Sequence, residues 1–394
     1  MRAMTTPLGH AFLDALHRVL GEAAAPLHEP EFGARESALV QDCLDSTFVS
    51  TVGRYVEQLE GMLSDYTGAK HAVAVASGTA ALHVALMLAG VEEGDEVVIP
   101  ALSFVATANA VRHCGAIPHF ADSDSVTLGM DPAALAEHLC GVAEKAAHGL
   151  RNRNTGRRIA AIVPMHTYGH PVDMGPLGDV AGGYHLPIVE DATESLGSTY
   201  HGRHAGTLGL MGTLSFNGNK IITTGGGGAI LTDDAGLARR GKHLTTTAKL
   251  PHRWDFFHDE VAWNYRLPNL NAALGCAQME RLPEFVARKR ELATRYQAAF
   301  ESVAGLGFVA EPAGSRSNYW LNTVRLEHPD VELRNQLLAA ANDAGYQCRP
   351  TWTLLHKLPM YLDVPRAPLP VAERLEASLI NVPSSAKLAD RTWA

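Results

Sequence analysis

Between residues 71 and 191, short apolar runs alternate with longer amphipathic stretches, and this alternation restricts the fold more than any other feature of the sequence. Strands are predicted at HAVAVA (71–76), DEVVIP (95–100), AIPHF (116–120), RIAAIVPM (158–165) and LPIVED (186–191). Helices are predicted between them over 79–90, 104–114, 131–149 and 174–185. This order is typical of a mostly parallel sheet with helices on both faces, whose ligands bind beyond the carboxyl ends of the strands.

The pattern changes after about residue 270. A long helix over 271–303 is followed by a predicted strand over 318–326 and a helix over 333–345, which indicates a second, smaller α+β unit. We therefore predict three parts. They are an N-terminal helical extension (1–30), a large α/β domain (31–265) and a small C-terminal α+β domain (266–394).

Charge and composition argue against several classes of function. The net charge is −9 and no basic stripe is present, so we expect no nucleic-acid partner. No apolar run is long enough to cross a bilayer, the start lacks a signal-peptide pattern, and the five cysteines form no CxxC pair. We expect a cytoplasmic protein that has no membrane partner. No metal site is predicted, because prolines and glycines around His166 and His170 disfavour a helix there.

Three short motifs carry polar residues that could bind a ligand: one at a helix start, one after a strand and one before a glycine run. In VASGTAALHVAL, free amides and hydroxyls at a helix start would bind an anion, although Ser77 could be an ordinary helix cap. In VEDATESLGS, Asp191 follows a buried strand and needs a cation or strong donors, unless it too is only a cap. In SFNGNKIITTGGGG, Lys220 precedes four glycines, which let the backbone turn sharply beside something that approaches closely.

Together these signals match one cofactor. A lysine in an apolar cleft can form an imine with a carbonyl, and pyridoxal 5′-phosphate offers a carbonyl, a phosphate and a basic ring nitrogen. Lys220 alone would more often be a solvated surface residue, but the three signals in one α/β chain favour the cofactor.

The motifs resemble those of the DegT-type sugar-nucleotide aminotransferases, which are fold type I pyridoxal-phosphate enzymes, from about residue 28 to residue 383. The resemblance is carried by the following stretches: PLHEPEFGARE, VSTVGRYVEQLE, SGTAALHVAL, GDEVVIPALSFVATANAV, MHTYGHPVDM, VEDATESLGS, GTLSFNGNKIITTGGGGAI, WNYRLPNLNAALG and RPTWTLLHKLP. It implies a large domain built on a mostly parallel seven-stranded sheet, a smaller C-terminal domain, and a homodimer with shared active sites.

The resemblance also implies roles for individual residues. Lys220 would bond to the cofactor aldehyde and Asp191 would pair with the ring nitrogen. The other cofactor contacts would come from Gly78, Thr79 and Ser215 at the phosphate, Phe104 stacked on the ring, Glu194 near the ring hydroxyl, and Asn264 at the phosphate of the neighbouring subunit. Glu194 departs from the glutamine that many members carry. Candidate substrate contacts are His166, Lys249, Arg253, Arg349 and His356, each of which could equally be structural or solvated.

The implied reaction moves an amino group from L-glutamate to the keto carbon, with C4 favoured, of a nucleotide-linked 4-keto-6-deoxy sugar. FNGNKIITTGGGG and TTTAKLPHRWDF look most like the subgroup that acts on UDP-linked 2-acetamido-4-keto sugars in surface glycan synthesis. A perosamine-forming enzyme on a GDP sugar is the nearest alternative. A sugar dehydratase on the same cofactor is another, but the dehydrating branch carries histidine where this chain has Lys220.

Overall fold

The computed structural model describes residues 6–146 and 149–391. In chain order, the α-helices of this part are α1 (Pro7–Leu20), α2 (Ala34–Ser46), α3 (Arg54–Thr67), α4 (Gly78–Leu88), α5 (Val105–His113), α6 (Pro132–Val142), α7 (Met174–Tyr184), α8 (Ala235–Thr245), α9 (Asn269–Phe300), α10 (Val331–Asp343) and α11 (Pro370–Ser378). The strands are β1 (His71–Val75), β2 (Glu96–Pro100), β3 (Ile117–Ala121), β4 (Ala143–Ala146), β5 (Gly149–Asn152), β6 (Arg158–Ile162), β7 (Val189–Asp191), β8 (Thr199–Tyr200), β9 (Arg203–His204), β10 (Met211–Ser215), β11 (Gly228–Thr232), β12 (Leu306–Phe308), β13 (Ser315–Arg316), β14 (Asn322–Leu326), β15 (Arg349–Pro350) and β16 (Leu379–Val382).

Seven of these strands form the central sheet, in the order β1-β11-β10-β7-β6-β2-β3. Parallel bridges at Ile162–Ile188 and Met165–Asp191 join the four-stranded half that contains β7 to the half that contains β6. Only β11 runs antiparallel to its neighbours, so the predicted mostly parallel seven-stranded sheet is confirmed.

Alternate residues of the strands face opposite layers of helices. In β1, Val73 and Val75 pack into the core that includes α4 and α5, whereas Ala74 packs into the core that includes α3 and α9. Successive side chains of a strand point to opposite faces, so apolar residues at consecutive positions indicate burial on both sides. The strands are apolar at nearly every position because helices cover both faces of the sheet.

One predicted helix is wrong at its end. The helix expected over 131–149 stops at Val142, and β4 follows directly to form an antiparallel hairpin with β5 beside β6. Helix propensity over this stretch is overridden by pairing with the sheet. Residues 147 and 148 lie outside the described part of the chain.

The C-terminal part contains a four-stranded antiparallel sheet in the order β12-β14-β16-β15, with α10 packed on it. Helix α9 is shared between two cores. Its first half packs with α2 and α3, and its second half packs with α1 and with the C-terminal sheet. The predicted division at residues 30 and 265 stays a prediction. Within residues 6–146 and 149–391, no helix is long and apolar enough to cross a membrane.

Candidate active site

A cavity of about 330 Å³ opens at the carboxyl end of the sheet, where β1, β7 and β10 finish. Its walls are formed by Ser77, Gly78, Thr79, Leu82, Phe104, Ala106, Thr107, Asp191, Thr193, Glu194, Ser215, Asn217, Asn219, Lys220, Gly226, Gly227, Trp320 and Trp352. Parallel strands bring their carboxyl ends to one edge, which is why residues distant in sequence meet there.

Asp191 is the last residue of β7, and only 4% of its surface is exposed. One carboxylate oxygen accepts a hydrogen bond from the Thr107 hydroxyl at 2.7 Å, and the other accepts from the Thr193 hydroxyl at 2.7 Å. Ser103 in turn contacts the Thr107 hydroxyl at 2.8 Å. A buried carboxylate is costly unless donors satisfy it, and here the donors fix its position in the cavity wall.

Helix α4 begins in the cavity wall. The Ser77 hydroxyl caps it by accepting from the amide of Ala80 at 3.1 Å, so the cap expected from the sequence is present. The first amides of a helix have no partner within the helix and carry a partial positive charge. Gly78 and Thr79 supply those amides here, with Ser215 beside them, and this arrangement suits a phosphate.

Two glycines allow this close approach. A Cβ atom on Gly78 would lie 2.8 Å from the Ser215 Cβ, and one on Gly228 would lie 2.7 Å from the amide nitrogen of Gly78. Both distances are shorter than real side chains tolerate. The glycine run after Lys220 therefore permits β11 to pack directly against the start of α4.

Lys220 lies in the loop between β10 and β11, and its side chain is 11% exposed. Its Nζ donates to Glu194 Oε1 at 3.2 Å and lies 4.0 Å from the centre of the Trp320 ring. The second Glu194 oxygen accepts from the amide of Tyr168 at 2.9 Å. Burial raises the pKa of Glu194 to about 7, although the nearby Lys220 opposes that rise.

An aromatic wall closes the other side of the cavity. Phe104 is 48% exposed and its ring centre lies 6.1 Å from that of Trp352. Trp352 is 5.0 Å from Tyr168, which is in turn 6.5 Å from Trp320. Trp320 was missed by the sequence interpretation, which placed it inside a strand. That strand, β14, begins only at Asn322.

The remaining predicted residues lie outside the cavity walls. His166 is fully buried, accepts from the amide of Val172 through Nδ1 at 3.0 Å, and contacts Glu190 through Nε2 at 3.0 Å. Exposed positions are occupied by Lys249, Arg253, Asn264 and Arg349. His356 is buried near Glu373, at 3.9 Å, and burial lowers its pKa.

The cavity fits pyridoxal phosphate by the chemistry of its walls. An anion site at the start of α4, the buried carboxylate of Asp191 and the amine of Lys220 correspond to the cofactor's phosphate, ring nitrogen and aldehyde. Because Gly78 has no side chain, Ser215 can lie directly against the first turn of α4, beside the amides that suit the phosphate.

Comparison with known proteins agrees with this arrangement. The profile of the DegT/DnrJ/EryC1/StrS aminotransferase family matches residues 30–393. The chain is 36% identical to the GDP-perosamine synthase of Caulobacter vibrioides, over 92% of this chain and 93% of that protein. It is 37% identical to the putative pyridoxal phosphate-dependent aminotransferase EpsN of Bacillus subtilis, over 85% of this chain and 83% of that protein.

Among solved structures, the aminotransferase TlmJ of Streptoalloteichus hindustanus superposes with a TM-score of 0.82 at 31% identity, covering 92% of this chain and 94% of that one. The match includes both the central sheet and the C-terminal part. The chain therefore belongs to the DegT/DnrJ/EryC1/StrS family of pyridoxal phosphate-dependent, fold type I aminotransferases.

Proposed function

We propose that this aminotransferase moves the amino group of L-glutamate to C4 of a nucleotide-linked 4-keto-6-deoxy sugar in the synthesis of a surface polysaccharide. The observation that carries the proposal is the meeting of Lys220, Asp191 and the start of α4 in one cavity. The names of relatives that align over most of the chain support a sugar-nucleotide substrate.

Two substrates are candidates. The name GDP-perosamine synthase, carried by relatives at 35–36% identity over more than nine-tenths of the chain, supports GDP-4-keto-6-deoxymannose. The motifs FNGNKIITTGGGG and TTTAKLPHRWDF support UDP-2-acetamido-2,6-dideoxy-hexos-4-ulose. We place the GDP sugar first, because the relatives named GDP-perosamine synthase align with nearly the whole chain, whereas the two motifs cover short stretches.

The cavity residues divide the chemical work. When bound, pyridoxal phosphate supplies an aldehyde that carries the amino group and a ring that accepts electron density from the reacting carbon. The Asp191 carboxylate, fixed by Thr107 and Thr193, would keep a proton on the ring nitrogen and so maintain the positive charge of the ring.

Lys220 Nζ has two functions. It would hold the cofactor through its aldehyde, and when free it would move a proton at the substrate carbon. The amides of Gly78 and Thr79, with the Ser215 hydroxyl, would hold the phosphate, and Phe104 would hold the ring. Glu194, next to Lys220, would hold the ring hydroxyl.

The reacting sugar would approach from the open side of the cavity, past Phe104 and Trp352. We propose that Lys249 and Arg253, on an exposed loop, contact the diphosphate of the sugar nucleotide. In the present chain Lys249 Nζ lies 3.9 Å above the ring of Phe256, and the guanidinium of Arg253 lies 5.5 Å from that of Trp254. The roles of His166, Arg349 and His356 at the substrate rest on the family resemblance alone.

The test is a panel of GDP-, UDP- and dTDP-linked 4-keto-6-deoxy sugars, each incubated with glutamate and the purified enzyme, with the product mass as readout. Amination adds a nitrogen to one sugar of the panel and releases 2-oxoglutarate in equal amount. A dehydratase would instead consume a sugar without glutamate, and its product mass would lack the nitrogen. Turnover of none of the sugars, by enzyme that forms the aminated cofactor with glutamate, would contradict the proposed substrate class.

A further inference from the structure

The amine of Lys220 lies between two walls that come from different parts of the chain. On one side Glu194 Oε1 accepts its hydrogen bond at 3.2 Å, and on the other the Trp320 ring lies 4.0 Å away. Glu194 is 3% exposed and Trp320 is 4% exposed, so both contacts are shielded from water. A carboxylate and the face of an indole both attract an ammonium group.

The Trp320 wall is held at three points. Its indole N–H donates to the carbonyl of Asn219, the residue before Lys220, at 2.7 Å. Its own carbonyl accepts from the fully buried Nζ of Lys289 at 3.0 Å. Its amide donates to Asn318 Oδ1 at 2.8 Å. The ring therefore cannot turn away without breaking contacts with the backbone beside the lysine that it covers.

Asn318 joins the two walls. The side-chain NH₂ of Asn318 donates to the carbonyls of Glu194 and Leu196, both at 2.9 Å, while its Oδ1 holds Trp320. A Cβ on Gly169 would lie 1.9 Å from that Oδ1, so glycine there makes room for the bridge.

Two non-glycine residues beside these walls have a left-handed backbone. Tyr319, with φ at 48°, precedes Trp320, and Tyr168, with φ at 56°, donates its amide to Glu194 Oε2. Such conformations are strained and persist where the surroundings enforce them, which is most often at functional sites.

The other ionisable groups around the pair are few. Asp191 acts electrostatically on Glu194, and the amide of Tyr168 donates to it. Lys289 contacts the Trp320 carbonyl, and His28 is close enough to Lys220 and Lys289 to be affected by their charges. Burial lowers the pKa of Lys289 to about 7 and that of His28 well below its usual value, so His28 adds little positive charge near Lys220 at neutral pH. The Glu194 carboxylate is therefore the main opposite charge in direct contact with Lys220.

We propose that Glu194 and Trp320 form a cation cage, which holds the amine of Lys220 as an ammonium group in the cofactor-free chain and after Lys220 has taken a proton from the substrate carbon. This inference rests on the function proposed for Lys220. The cage keeps the released amine within reach and, once the amine has taken a proton, holds that proton until it is returned. Glu194 and Trp320 are therefore positioning residues for Lys220.

The test measures the protonation of Lys220 directly in the full-length chain after the cofactor has been removed. Trace acetylation with an amine-reactive ester is carried out from pH 6 to pH 10, and the rate at Lys220 is read by peptide mass spectrometry. Only the neutral amine reacts, so the midpoint of the rate profile reports the pKa of the amine. Because a carboxylate stabilises the ammonium form, Glu194→Gln should lower the midpoint and accelerate acetylation near pH 8 about tenfold, which corresponds to one pKa unit.

Removal of the Trp320 ring should also accelerate the acetylation of Lys220. Trp320→Leu should accelerate acetylation about two- to fivefold, and Trp320→Phe, which keeps an aromatic face, should do so less. The matched controls are Trp352→Leu, which removes another aromatic wall of the same cavity, and Glu60→Gln. Glu60 Oε2 accepts from Lys242 Nζ at 3.1 Å, so Glu60→Gln should alter the acetylation of Lys242 and leave Lys220 unchanged.

An unchanged midpoint in Glu194→Gln, or equal effects of Trp320→Leu and Trp352→Leu, would overturn the cage. The acetylation measurement can fail without contradicting the proposed function, and the proposed function can fail without contradicting the cage. Failure of Lys220 to bond to the cofactor would appear in the cofactor-loaded protein, while the cage is measured without cofactor and without turnover.

Discussion

Asp191 shows how single residues can be placed at a site by local chemistry. The carboxylate ends a buried strand, and it is tolerated there because Thr107 and Thr193 donate to its two oxygens. No cation among the described residues pairs with it in a salt bridge, so its charge remains available to a cationic group in the cavity.

Replacing Asp191 by asparagine should lower kcat by about 10²–10³-fold, because the amide cannot hold the ring nitrogen in its cationic form. The fold should persist, since asparagine has nearly the same shape. Steady-state kinetics and thermal unfolding of the purified variant provide the two readouts.

The matched control is Asp122→Asn, since Asp122 is also 4% exposed but accepts from the amides of Val371 and Ala372 away from the cavity. It should lose about 1–3 kcal/mol of stability and keep its kcat. Near-normal turnover in Asp191→Asn would mean that the ring charge is set by another group.

At the scale of elements, the site depends on the contact between the start of α4 and the strands β10 and β11. Gly78 and Gly228 allow backbone to approach backbone and Ser215, so that helix amides face the cavity. Such a contact combines a helix terminus with an adjacent hydroxyl, which is the usual design of a phosphate site.

Gly78→Ala should weaken cofactor binding and destabilise the fold by about 1–3 kcal/mol, because the new methyl group would overlap Ser215. The affinity is measured by absorbance titration of the cofactor-free chain with pyridoxal phosphate. Gly61→Ala is the control, since that glycine lies within α3 and a Cβ there would meet nothing within 4 Å. It should leave the affinity unchanged and add about 0.5–1 kcal/mol of stability. Equal affinities in both variants would contradict the phosphate site at α4.

The elements differ in how far the sequence could predict them. Strand β7 ending at Asp191, and β1 followed by the cap of α4, are local patterns, so both were predicted with their polar residues. Trp320 was not, because its place depends on contacts with Asn219 and Lys289 that lie 101 and 31 residues away. The early end of α6 was missed for another reason: β4 pairs with β5, which pairs with β6, and this pairing overrides the helical pattern of the stretch.

At the scale of the whole molecule, one surface segment exposes three large aromatic side chains. Trp254, Phe256 and Phe257 are 73%, 73% and 59% exposed, and they lie in the loop between α8 and α9 with Asn264. Large exposed apolar patches mark interaction sites. This supports the homodimer with shared active sites that the family resemblance implies.

We expect Trp254→Ser combined with Phe257→Ser to weaken the homodimer, with a rise of about tenfold or more in its dissociation constant by analytical ultracentrifugation. Val126→Ser, at another apolar residue that is 57% exposed, should leave the dissociation constant unchanged. A wild-type chain that sediments as a monomer at micromolar concentration would contradict the homodimer.

The central claim concerns one covalent attachment in the intact enzyme. Purified protein loaded with pyridoxal phosphate is reduced with borohydride, digested and analysed by mass spectrometry, with Lys220→Ala and Lys242→Ala treated alongside. The account predicts one reduced pyridoxyl group per chain on the peptide that contains Lys220, present in Lys242→Ala and absent from Lys220→Ala, which should also lack turnover. A pyridoxyl group on another lysine, or none in a protein that aminates its sugar, would contradict the account.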